Sequence, residues 1–262
     1  MKKLLTLSMV MMLTISAFAQ DLNREFYLLF EFMKVSDENG TDYLDVEEFW
    51  SGIHKQRVAD KKIMGWDLWS LTPAGTEQGS QYLTVTLFAT LEDMMQPVTM
   101  DDIMNYTKKA NPNMTEKEMN AMIDKTTKSR DLAHQVYLKQ IAWTEGDFQM
   151  QVGTVATIDV MKALNDNYEK AENEVFKPWH QDMVNNGQKG NWGLLRAILP
   201  AGTDVYGTHI TVNMYRDVAQ LSASMEGGPG EMDGLTQLAV QEGIQSRDMR
   251  EVKIAILEKM VR

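Results

Sequence analysis

Apolar and polar residues alternate from Tyr82 to Phe88: Leu83, Val85 and Leu87 fall on one side, Tyr82, Thr84, Thr86 and Phe88 on the other. A period of two predicts a strand with one aliphatic and one polar or aromatic face. The pattern returns from His209 to Tyr215, with Ile210, Val212 and Met214 against His209, Thr211, Asn213 and Tyr215. Val46, Phe49, Trp50 and Ile53 instead recur at helical spacing, as do Ala171, Val175, Trp179 and Met183. Read in order, residues 24–35 are a strand and 36–41 a polar loop. A helix runs to about Lys62, then strands cover 66–71 and 82–89. Residues 91–128 are polar and helical, with a capping box beginning at Thr115. The second half repeats the order: strand 151–161, helix, strands 192–199 and 209–216, a Gly-rich loop at 227–230 and a last helix. The closing segments 133–143 and 252–261 fit a strand or a helix equally.

The two halves are copies. Glu48 aligns with Glu174, His54 with His180 and Trp66 with Trp192. Pro73-Ala74-Gly75-Thr76 aligns with Pro200-Ala201-Gly202-Thr203, and Ser129-Arg130-Asp131 with Ser246-Arg247-Asp248. A period of about 126 residues is that of a whole module, far beyond a solenoid repeat. Gly52 and Pro178 share one position, and both weaken a helix, so a bend is expected there in both copies.

Residues 1–19 read as a secretory signal: Lys2-Lys3, an apolar run over 4–15, and Ala17-Phe18-Ala19 as the cleavage site. The mature chain is then expected to be soluble and exported, periplasmic or extracellular. With no cysteine it has no disulfides, so its cores must hold the fold unaided. A formal net charge of −11 argues against nucleic acid or an anionic membrane surface as partner.

Element order, helices ending near His54 and His180, and strands beginning Gly65-Trp66 and Asn191-Trp192 resemble the dimeric α/β-barrel superfamily. NIPSNAP-like and antibiotic-biosynthesis-monooxygenase-like domains are the members most similar in style. The resemblance covers nearly the whole mature chain. It implies an α+β fold of two tandem ferredoxin-like βαββαβ modules, 20–147 and 148–262, forming an intramolecular pseudo-dimeric barrel. No catalytic signature of that superfamily is recognisable, and no cofactor is named by the residues.

In such a barrel the polar strand faces are expected to point inward. Tyr82, Thr84, His209, Thr211, Asn213 and Tyr215 would then line a small-molecule cavity, with His209 the group to handle a proton. The competing reading is a non-catalytic interaction or scaffold protein. His54 and His180 have three roles open: proton carrier, axial haem ligand, or a hydrogen-bonded residue stabilising the fold. Trp66 and Trp192 are either helix-to-sheet anchors or ligand-stacking surfaces. A further alternative is calcium: Asp37, Asn39, Thr41, Asp45 and Glu48 occupy positions 1, 3, 5, 9 and 12 of an EF-hand loop, although Asp42 stands where the turn requires Gly. P-loop, GxGxxG, GxSxG and HExxH patterns are absent.

Overall fold

The computed structural model describes residues 25–228 and 232–262, so the expected signal 1–19 and the tip of the Gly-rich loop lie outside the described residues. The strands are β1 (Tyr27–Lys34), β2 (Gly65–Thr72), β3 (Tyr82–Phe88), β4 (Asp131–Trp143), β5 (Val155–Ala163), β6 (Asn191–Leu199), β7 (His209–Tyr215) and β8 (Arg247–Val261). They close one antiparallel barrel in the order β1-β3-β2-β8-β5-β7-β6-β4. Both ambiguous closing segments are strands, and they make the closure: β4 pairs with β1 and β6, β8 with β5 and β2. Each half therefore forms one arc of four strands, β4-β1-β3-β2 and β8-β5-β7-β6.

The helices lie outside the barrel. In the first half they are α1 (Gly40–Ala59), α2 (Leu91–Met95), α3 (Met100–Ala110) and α4 (Glu116–Ser129). The polar 91–128 stretch is thus three helices, each opened by a threonine cap: Thr90, Thr99 and Thr115. In the second half they are α5 (Tyr168–Ala171), α6 (Lys177–Asn185), α7 (Val218–Glu226) and α8 (Gly234–Gln245), with a π-helical turn, Glu172–Phe176, joining α5 to α6. No helix among the described residues is long and apolar enough to cross a membrane.

The strand faces point the opposite way from the expectation. One buried apolar cluster takes residues from all eight strands, including Phe30, Leu71, Leu83, Leu138, Ile158, Leu195, Val212 and Leu257. It packs most of the barrel interior, leaving a cavity of about 160 Å³ bordered by Phe32, Val160, Ile210 and His209. Tyr82, Thr84, His209, Thr211, Asn213 and Tyr215 lie on the opposite strand face, beneath the helices. The physical reason is enclosure. An aliphatic side chain loses nothing in a space walled by strands, whereas a hydroxyl or amide there needs a partner that the packed interior does not provide.

Two other expectations are corrected. Gly52 sits inside an unbroken α1, and only the second half departs from α-geometry, through the π-turn just before Pro178. The calcium loop does not form. Gly40 to Glu48 is already helix, so the backbone cannot wrap a cation. Two of its carboxylates have protein partners instead: Asp45 pairs with Lys125 and Glu48 with Lys259.

Candidate functional site

Each half presents a histidine between two indoles. His54 on α1 stacks on Trp66 of β2 (4.9 Å between ring centres, 19°), with Trp50 on its other side at 5.9 Å. His180 on α6 stacks on Trp192 of β6 (5.0 Å, 25°) and on Trp179 (5.5 Å, 18°). The Nδ1 of His54 lies 3.3 Å from Nη1 of Arg57, and that of His180 lies 3.0 Å from Nζ of Lys189. A guanidinium or an ammonium can only donate, so both Nδ1 atoms accept and both rings carry hydrogen on Nε2. Burial, then Arg57, holds His54 well below the usual imidazole range; burial, then Lys189, takes His180 to about 2. These rings stay neutral near pH 7, which removes the proton-carrier role. Their one free lone pair is occupied by a cation, which does not suit an iron ligand.

A second repeated constellation ties helix to closing strand. Tyr43, Glu47 and Arg130 come together in the first half, and Tyr168, Glu172 and Arg247 in the second. Each contains a buried ion pair, Glu47–Arg130 in one and Glu172–Arg247 in the other. Both carboxylates are 1% exposed. Burial pushes the Glu47 carboxyl up to about 7 against the pull of Arg130. Sequence alignment pairs Glu48 with Glu174, yet the structural counterparts are Glu47 and Glu172. The second half has one more residue between its tyrosine and its histidine, and the π-turn absorbs it. The shared spacing of four from Tyr to Glu was the available signal.

Between the sheet of the first half and α1–α3 lies a cleft of about 540 Å³. His54, Trp66 and Thr84 line it, so three residues singled out from sequence do meet. Trp50, Tyr106 and Tyr137 add aromatic wall. Glu31 on β1 accepts from Gln135 Nε2 at 2.8 Å and from Thr84 Oγ1 at 3.3 Å. Arg57, half-buried, also lines the cleft. Its contact with His54 is its only side-chain hydrogen bond among the described residues, and it makes no ion pair there, Glu31 and Asp102 acting on it only from a distance. Sequence reading missed Glu31, Arg57, Gln135 and Arg130, since nothing in spacing joins β1, α1 and β4.

The other candidates are dispersed. His180, Trp192, Thr211 and Asn213 line a second cavity of about 360 Å³ with Asp159 and Trp179. Tyr82 packs against Tyr43 at 4.6 Å, and Tyr215 joins an apolar cluster with Val155 and Leu221. His209 belongs to a clip: its Nε2 is 2.8 Å from Glu169, which also holds Arg196, and its ring meets Tyr168 at 4.7 Å. Burial lowers its pKa, with Glu169 opposing.

No protein-family model matches the chain, and no curated protein matches it. Solved structures do. A monooxygenase candidate from Lactobacillus acidophilus superposes with a TM-score of 0.57 at 9% identity, over 91% of this chain and 96% of that one. A second monooxygenase candidate, from Fusobacterium nucleatum, gives 0.55 at 10% identity, over 91% and 94%. This chain has the dimeric α/β-barrel fold. An anthrone oxidase-like protein shares it, with a TM-score of 0.51 at 10% identity over 90% and 92%. At such identities the likeness concerns the fold.

Within this α/β barrel, the first cleft offers a flat aromatic wall, a satisfied carboxylate and an under-paired guanidinium. That set can hold an aromatic body and orient an anionic group.

Proposed function

We propose that the chain binds a small organic molecule, aromatic in its body and carrying a carboxylate or phenolate, in the 540 Å³ cleft of the first half. The carrying observation is Arg57. Its guanidinium is desolvated, lines the cleft, and has no carboxylate partner among the described residues. A planar guanidinium matches a carboxylate in a two-pronged geometry, and a half-desolvated one gains most from doing so. Trp50, Trp66 and Tyr106 would take the aromatic body. The neighbours described as monooxygenase candidates and as anthrone oxidase-like add support for oxidation of such a ligand as the enzymatic form of this reading.

Two further readings go with it. The halves, 20–147 and 148–262, are tandem ferredoxin-like modules. The support is the repeated arc order and the repeated His–Trp and Tyr–Glu–Arg groups. The chain is exported, with cleavage after Ala19. Mass spectrometry of envelope-derived protein should find Gln20 at the N-terminus, and Met1 there would contradict export.

The binding test compares 2-naphthoate with 2-naphthalenemethanol by quenching of tryptophan fluorescence. The naphthoate should bind at least tenfold more tightly, and Arg57→Gln should erase the difference while leaving the melting temperature within a few degrees. Equal binding of both compounds, or an unchanged preference in Arg57→Gln, would overturn the proposal.

A further inference from the structure

The 360 Å³ cavity of the second half repeats the architecture of the first cleft with its polarity reversed. In the first cleft the wall carboxylate, Glu31, has two donors, and the cation beside the histidine, Arg57, is short of partners. In the second the cation is served. Lys189 Nζ donates to Asn213 Oδ1 at 2.5 Å and faces His180 Nδ1 at 3.0 Å, and it is buried away from the cavity wall. Arg247, which does line the cavity, is taken by Glu172. What is left over is a carboxylate oxygen. Asp159 receives Asn213 Nδ2 at 2.8 Å and Thr211 Oγ1 at 3.2 Å on Oδ2, while its buried Oδ1 meets no donor in hydrogen-bond geometry, the Thr157 hydroxyl being the other polar neighbour of this carboxylate.

A buried acceptor without a donor is costly, and a ligand that brings one recovers that cost. Trp179 and Trp192 line the same space, whereas the face of Phe176 is already taken by the Arg247 guanidinium, 4.7 Å from the ring centre. Aromatic faces carry negative potential and attract a cation, the more strongly where water is excluded. We propose that this cavity is a separate site for an organic ammonium ion, an amine with an aromatic or apolar substituent, held by Asp159 Oδ1 and the indoles of Trp179 and Trp192. The inference does not depend on an anionic ligand in the first cleft.

The test is isothermal titration calorimetry on the mature full chain at pH 7.5 with phenethylammonium chloride. The arms are 2-phenylethanol, 3-phenylpropionate and potassium chloride. Phenethylammonium should bind one to one and at least tenfold more tightly than 2-phenylethanol, with potassium giving no heat of binding. Asp159→Asn keeps an oxygen for Thr211 and Asn213 and should weaken the amine at least tenfold. Arg57→Gln, in the other cleft, should leave amine binding unchanged. Should Asp159→Asn fail to fold, Trp179→Ala on the half-exposed face of α6 serves instead and should weaken benzyltrimethylammonium several-fold. No binding of the amine at millimolar concentration, equal binding of the alcohol, an effect of Arg57→Gln, or indifference to both second-half variants would each overturn the proposal. Binding of 3-phenylpropionate as tight as that of the amine, and unaffected by Arg57→Gln, would overturn it too.

Discussion

A histidine stacked between indoles and faced at Nδ1 by a fixed cation has one protonation state open to it in the folded chain. Unfolded, the same ring titrates near its ordinary value of about 6.5. His180, taken to about 2, and His54, held well below its usual range, have depressed folded-state values. Their contribution to stability is therefore complete above about pH 6.5 and declines as pH falls, because the unfolded chain binds protons that the folded chain refuses. Between pH 6 and 4 both rings should lower stability as read from the urea midpoint, His180 by about 1.4 kcal/mol per pH unit, while the Glu47 carboxyl, pushed up to about 7, acts in the opposite direction. The double variant His54→Gln/His180→Gln should remove the two rings' share of that change. The buried ion pairs behave differently. Arg130→Met strands Glu47 in the interior and should cost about 3–5 kcal/mol by chemical denaturation, whereas Glu47→Gln/Arg130→Met removes both charges and should recover much of it.

At the scale of elements, the informative feature is the π-turn. It lets a helix one residue longer place both Glu172 and His180 where α1 places Glu47 and His54. Helix α8 packs directly on this turn. A Cβ at Gly243 would lie 2.7 Å from the Phe176 ring and 3.3 Å from Ala171, so the close approach requires glycine. Gly243→Ala would gain roughly 0.5–1 kcal/mol of helix propensity but lose about 1–3 kcal/mol to overpacking. The net should be destabilising, with a lowered melting temperature. Gly234, at the start of the same helix, has nothing within 4 Å of its missing Cβ. Gly234→Ala should be neutral or slightly stabilising, and the contrast between the two separates packing from propensity.

The whole molecule is held by a core that neither half owns. Residues of all eight strands meet in one interior cluster, and the arcs are joined at β2–β8 and β4–β6. Heat should therefore unfold the chain in one cooperative step, with tryptophan fluorescence and far-ultraviolet circular dichroism giving coincident curves. Expressed separately, segments 25–147 and 148–262 would each expose half of that apolar interior. Each should aggregate or self-associate, and mixing them on refolding should restore a soluble one-to-one complex. Two separate thermal transitions in the intact chain would mean that the halves have independent cores.

Local order was readable from the residues because it rests on local physics. Period-two runs marked β3 and β7, helical spacing marked α1 and the α5–α6 region, and the repeated His, Trp and Ser-Arg-Asp positions placed equivalent residues in equivalent elements. The resemblance supplied the barrel. Alternation defines two faces of a strand but not which one is enclosed; closure decided that, and it put the aliphatic face inside and the Thr, Asn and His face under the helices. Strand or helix was undecided for 133–143 and 252–261 because both suit an apolar run; pairing on two sides made them strands. The site itself depends on Glu31, Arg57 and Gln135, which lie far apart in the chain and meet only when β1, α1 and β4 are packed together. Which charges are then left without a partner is a property of that packing, and no spacing along the sequence encodes it.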